Sequence, residues 1–130
     1  MRQSICIFLF LTVLGCGPKV IDIKKDHSEK FSFTSDEGYQ EIYRRISNAV
    51  RKCWYQRAMV TSDLYTDLGF GEFIVYRAPG FSRKTTELLI EVRRVGRKRT
   101  VVDGYIADDS WDDSKALFEQ WTNGSTDCKA

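Results

Sequence analysis

The sequence predicts an α+β fold, with a helix, a four-stranded antiparallel meander and a C-terminal helix in one small domain. Three observations carry this prediction. Residues 39–53 repeat apolar side chains every three or four positions, the period of a helix that buries one face. Residues 57–107 then read as four β-rich segments parted by turn residues. The stretch after Ser110 returns to helical spacing and stops at Asn123-Gly124. A chain of 130 residues makes one ordinary domain, with no room for a second core of usual size. At 42% hydrophobic and 13% aromatic it has the apolar groups that a disordered chain lacks.

Taken in order, Phe31-Ser32-Phe33 alternates and fits a short edge strand. Thr34-Ser35-Asp36-Glu37 has the pattern of a capping box, in which threonine and glutamate satisfy end amides reciprocally. The helix after it carries Tyr39, Ile42, Tyr43, Ile46, Ala49, Val50 and Cys53 on one stripe. Glu41, Arg44, Arg45, Asn48, Arg51 and Lys52 take the wet side, the cations gathering where the helix dipole favours them. Strands are expected from about Arg57 to Tyr65, Glu72 to Ala78, Glu87 to Val95 and Arg99 to Ala107. In the third, Leu88, Ile90 and Val92 alternate with Glu87, Glu91 and Arg93, the mark of a half-buried strand. The breakers are Thr66-Asp67-Leu68-Gly69-Phe70-Gly71, Ala78-Pro79-Gly80 and Gly96-Arg97-Lys98. Ser110-Trp111-Asp112-Asp113 reads as a second capping box, opening a short helix to Trp121. Both helices are expected on the apolar face of the meander.

Ahead of these elements, Met1-Arg2-Gln3-Ser4 is a short positive start and Ile5 to Leu14 an apolar run. Ten residues of helix span about 15 Å, half of a hydrocarbon core about 30 Å thick. That is the length of a secretory signal's apolar region, and the run lacks the amphipathic stripe of a buried helix. It ends in Val13-Leu14-Gly15-Cys16, which resembles the lipobox of bacterial lipoproteins. The resemblance covers about the first seventeen residues. It implies a signal peptide over 1–15, diacylglycerol on the Cys16 thiol, cleavage after Gly15 and acylation, as with palmitate, of the new amine. Three acyl chains, at about 0.8 kcal/mol per buried methylene, hold far more firmly than one. Gly17, where an Asp tends to retain such proteins in the inner membrane, points to the outer membrane and its periplasmic face. A soluble secreted protein cut near Gly15 is the alternative. Residues 16–30 then form a polar tether, averaging roughly 20 Å end to end and reaching about 50 Å when stretched. Residues 31–130 form the periplasmic domain.

On that resemblance Cys6 leaves with the signal and Cys16 carries lipid, so Cys53 and Cys128 meet an oxidising compartment. They are expected to pair as a disulfide staple. The closed loop of roughly 75 residues stabilises by about 4.5 kcal/mol in the chain-entropy model. A reactive thiol or a metal site is the rival, but the chain has no CxxC and its sole histidine, His27, lies in the polar tether.

The placement of His27 also leaves Ser-His and Cys-His nucleophilic schemes without a base. Asp108, Asp109, Asp112 and Asp113 cluster near the last helix, but the spacing is not that of a calcium loop, and acids at a helix N-terminus suit its dipole. No metal and no cofactor are therefore expected. Gly69-Phe70-Gly71 lacks the third glycine of a dinucleotide loop, and Asn123-Gly124-Ser125 is a sequon that a bacterial lipoprotein does not ordinarily use. Trp54, Tyr55, Trp111, Phe118 and Trp121 read as core and rim aromatics rather than a ligand cage. With 20 basic and 18 acidic side chains, a net +2, the chain has no nucleic-acid footprint.

The surface feature with most to say is Arg93-Arg94-Val95-Gly96-Arg97-Lys98-Arg99, preceded by Arg83 and Lys84. Such a hairpin deters edge pairing, or it contacts anionic phosphates of lipid A or phospholipid. The chain is thus expected to be a non-catalytic, lipid-anchored outer-membrane protein. Its role would be that of a binding or assembly accessory, with an envelope protein or anionic lipid as partner. It resembles small proteobacterial envelope lipoproteins that carry a disulfide-stapled α+β domain. The alternatives are a small envelope-glycan hydrolase or transferase using acids such as Asp63, Asp67 or Glu72, and a carrier of lipid or another apolar ligand.

Overall fold

The computed structural model describes residues 29–55, 58–77, 85–107 and 109–130. The elements are β1 (Glu29–Ser35), α1 (Tyr39–Trp54), β2 (Met59–Tyr65), β3 (Phe70–Arg77), β4 (Thr85–Gly96), β5 (Arg99–Ile106) and α2 (Ser114–Thr122). Short 3₁₀ turns occupy Thr66–Leu68 and Asp109–Trp111. The expected signal and the tether through residue 28 lie outside the described residues, as do Arg83, Lys84 and Asp108.

The sheet has five antiparallel strands in the order β1-β5-β4-β3-β2, so the four-stranded meander gains a fifth member. Glu29 and Lys30, expected in the tether, are the first residues of that strand. Backbone pairing explains the gain. The outer edge of β5 offers unsatisfied amides and carbonyls, and β1 takes them from Glu29 opposite Ile106 to Ser35 opposite Thr100. Phe31 and Phe33 point to the helix side, their rings 6.3 Å apart.

Phe31 sits over Gly104, where an added Cβ would meet its ring at 2.1 Å. Gly104→Val is therefore expected to force β1 outward and cost about 1–3 kcal/mol in denaturant unfolding. Adding Phe31→Ala should relieve the clash, so that the double variant loses less than the sum of the singles.

Helix α1 crosses one face of the sheet, burying Tyr39, Ile42, Ile46, Ala49, Val50, Cys53 and Trp54 as its stripe predicts. Its start differs from expectation. Thr34 and Ser35 remain in β1, paired with Val101 and Thr100, so no capping box forms and Gly38 is the N-cap without a side-chain bond. Gly38 O accepts from the amides of Glu41 and Ile42 at 3.1 Å. The Glu37 carboxylate meets Arg45 instead, at 2.7 Å.

Helix α2 packs on the same face. It begins at Ser114 behind N-cap Asp113, which makes no side-chain cap bond, and not directly behind Ser110 as the second capping box predicts. Trp111 is held back on the sheet: its indole N–H donates to Glu87 at 3.0 Å, and its ring meets Trp54 edge-on at 4.9 Å. Gly124, at φ 93°, ends α2 as the Asn123-Gly124 stop predicts.

The last residues then run back beside α1. Trp121 Nε1 donates to Asp127 O at 2.7 Å, and Lys52 Nζ to Thr126 O at 3.0 Å. Cys53 and Cys128 are joined, their Cα atoms 5.3 Å apart, which is ordinary disulfide geometry. Between helices and sheet, Ile42, Ile46, Phe73, Leu88, Ile90, Val92, Val102, Phe118 and Trp121 are fully buried.

Candidate functional site

The strands fix two ends of the molecule. The chain joins the sheet at Glu29, opposite Ile106, while the β4–β5 turn lies about 24 Å further along β5. At that far end the basic hairpin separates into two groups. Arg93 turns back to ion-pair with Asp103, and Arg94 lies over the Tyr39 ring, 5.8 Å from its centre. These two serve the fold. Arg97, Lys98 and Arg99 are exposed at the turn with no ion pair among the described residues.

A bulge shapes the same hairpin. Arg94 pairs with Thr100 and Gly96 with Arg99, which leaves Val95 unpaired and half-exposed. The neighbouring turn Thr66–Leu68 is held by three hydrogen bonds. Tyr39 Oη donates to Thr66 O at 3.2 Å, Gly69 N also donates to Thr66 O, and Arg94 N donates to Gly69 O at 2.8 Å. Gly69 takes the left-handed conformation there, φ 63°.

Sequence reading missed a second feature, a row of carboxylates across four strands. Asp63 stands opposite Glu72, Glu72 opposite Glu91, and Glu91 opposite Asp103. Their partners in the alternation, Phe73, Ile90 and Val102, belong to the core beneath the helices, so the row lies on the other face. There Ile74 and Leu89 form a second small cluster with Tyr76 and Tyr105. Like charges directly opposite one another oppose sheet formation. The Arg93–Asp103 pair offsets part of this, and Tyr65 Oη donates weakly to Glu72 at 3.4 Å. The Glu72 carboxylate, then burial and Asp63, push the Tyr65 phenol above its ordinary value. The fold thus favours the neutral phenol. Stability linked to it is intact below the ordinary value of 10.0 and is lost as pH rises from there through the higher folded value.

Of the acids considered for glycan chemistry, Asp63 and Glu72 are brought together, whereas Asp67 sits apart on the 3₁₀ turn. Directly opposed strand positions lie about 5 Å apart, within reach of the spacing a retaining glycosidase uses. Both stand on a strand face beside the sheet edge, and the 440 Å³ cavity between β1 and α2 is elsewhere. It is lined by Phe33, Thr34, Ser35, Asp36, Glu37, Glu119, Thr122 and Asn123, a polar set unlike the apolar chamber a lipid carrier needs.

Among the described residues no group of three or more His, Cys, Asp or Glu side chains could hold a metal ion. Of the five aromatics expected in core and rim, Trp54, Phe118 and Trp121 are core, Trp111 is half-buried, and Tyr55 is 81% exposed. No described helix is long and apolar enough to cross a membrane. No protein-family model, curated protein or solved structure matches the chain.

Proposed function

We propose that the chain is a lipid-anchored outer-membrane protein facing the periplasm, and that its folded part is a non-catalytic binding or assembly accessory of the envelope. The observation that carries this reading is the Cys53–Cys128 bridge, a cross-link that persists in oxidising compartments and is rare in the cytosol. Export is what Val13-Leu14-Gly15-Cys16 calls for, and the two features support the same compartment independently. The absence of histidine from residues 29–130 removes the usual base, and a binding role asks for none.

Radiolabelled palmitate is expected to enter the native protein, and the label should vanish with Cys16→Ala. The native chain should also fractionate with outer membranes. Label that persists in Cys16→Ala, or an unprocessed chain in the cytosol, overturns the reading.

A further inference from the structure

We propose that the sheet end built from the Thr66–Leu68 turn and the β4–β5 hairpin docks on the surface of an anionic phospholipid bilayer. Leu68 and Val95 make its apolar contacts, and Arg97, Lys98 and Arg99 its headgroup contacts. Leu68 is 75% exposed and Val95 51%. The Arg94 N–Gly69 O bond joins the backbones beside them, so the two side chains flank one hydrogen bond at the same end of the sheet. An exposed aliphatic residue standing alone needs no explanation. Two that adjoin the residues of one backbone hydrogen bond, next to three exposed cations without carboxylate partners among the described residues, form an amphipathic tip.

The geometry is set in advance. Tyr39 and Gly69 hold the turn, and the bulge turns Val95 out of the ladder, so docking need not order either backbone. Aliphatic side chains beside Lys and Arg are the chemistry of segments that lie at a membrane interface. The carboxylate of Asp67 adjoins Leu68 and subtracts one charge from the three. An acidic protein or a nucleic acid would use the cations and leave Leu68 and Val95 without a role. The proposal goes beyond the anchor at Cys16 and does not rest on it.

The test places a reporter on the tip itself. The full chain with Leu68→Trp is reconstituted into vesicles of phosphatidylglycerol carrying brominated acyl chains, and its tryptophan quenching is compared with that of the native chain. Attachment of the N-terminal residues to the same vesicle does not create this signal, because the reporter is at residue 68. Added quenching is expected in the anionic vesicles and not in brominated phosphatidylcholine. Arg97→Gln, Lys98→Gln and Arg99→Gln together should weaken the tip's partition on the order of a hundredfold, about fivefold per cation, and abolish the added quenching. Near-ultraviolet dichroism of the buried tryptophans verifies that each variant is folded. Equal quenching in both lipids, no added quenching, or quenching that survives the triple substitution overturns the proposal. Loss of the Cys16 anchor is read separately, by palmitate.

Discussion

Trp121→Ala is expected to lower the unfolding free energy by about 3–5 kcal/mol, measured by denaturant titration. Trp121 is fully buried and meets Trp54 and Phe118 edge-on, each ring centre 5.1 Å away. Trp54 in turn meets Trp111 and Phe118, so one truncation removes contacts from a cluster that joins α1, α2 and the 3₁₀ turn. The indole also anchors the C-terminal segment through Asp127 O. Trp121→Phe separates the two roles. It keeps an aromatic ring in the cluster but leaves that carbonyl unpaired, at about 1 kcal/mol for the hydrogen bond alone. A loss in Trp121→Ala no larger than in Trp121→Phe would show that the cluster packs less tightly than the ring distances state.

Opening the Cys53–Cys128 bridge, by Cys53→Ser with Cys128→Ser, is expected to cost about 2–5 kcal/mol. The bridge spans a sequence separation of 75 residues, and in the chain-entropy model its main effect is to restrict the unfolded chain. Reductant should shift the native protein's denaturation midpoint and leave the double variant unmoved. An equal response from both proteins, or from neither, would contradict the bridge. The loss should be less than additive with that of Trp121→Ala, because Lys52, Cys53 and Trp121 all hold the segment around residues 126–128.

Legibility in the sequence followed the range of the interaction involved. The stripe of α1 was readable because its period is local, and Ile42, Ile46 and Cys53 are buried where it places them. The same holds for the alternation of Leu88, Ile90 and Val92. The capping boxes were not, because cap residues compete with distant partners. Thr34 is claimed by Val101 in the sheet and Glu37 by Arg45. β1 showed as a fragment, since pairing between strands so far apart in sequence, Glu29 with Ile106 and Ser35 with Thr100, has no local signature.

The carboxylate row shows the limit most plainly. Counting back from a two-residue turn with Gly96 opposite Arg99 puts Glu91 across from Gly104. The bulge at Val95 shifts the ladder by one residue, and Glu91 faces Asp103 instead.

By itself, then, the chain's order of residues determined the helices, the strands of the meander and their buried faces. Which hairpin cations turn back to Asp103 and Tyr39, which acids share a row and which strand closes the sheet were decided only in three dimensions. Periodicity selects a face within one element. Register, bulges and ion pairs depend on backbones that meet only after the chain has folded.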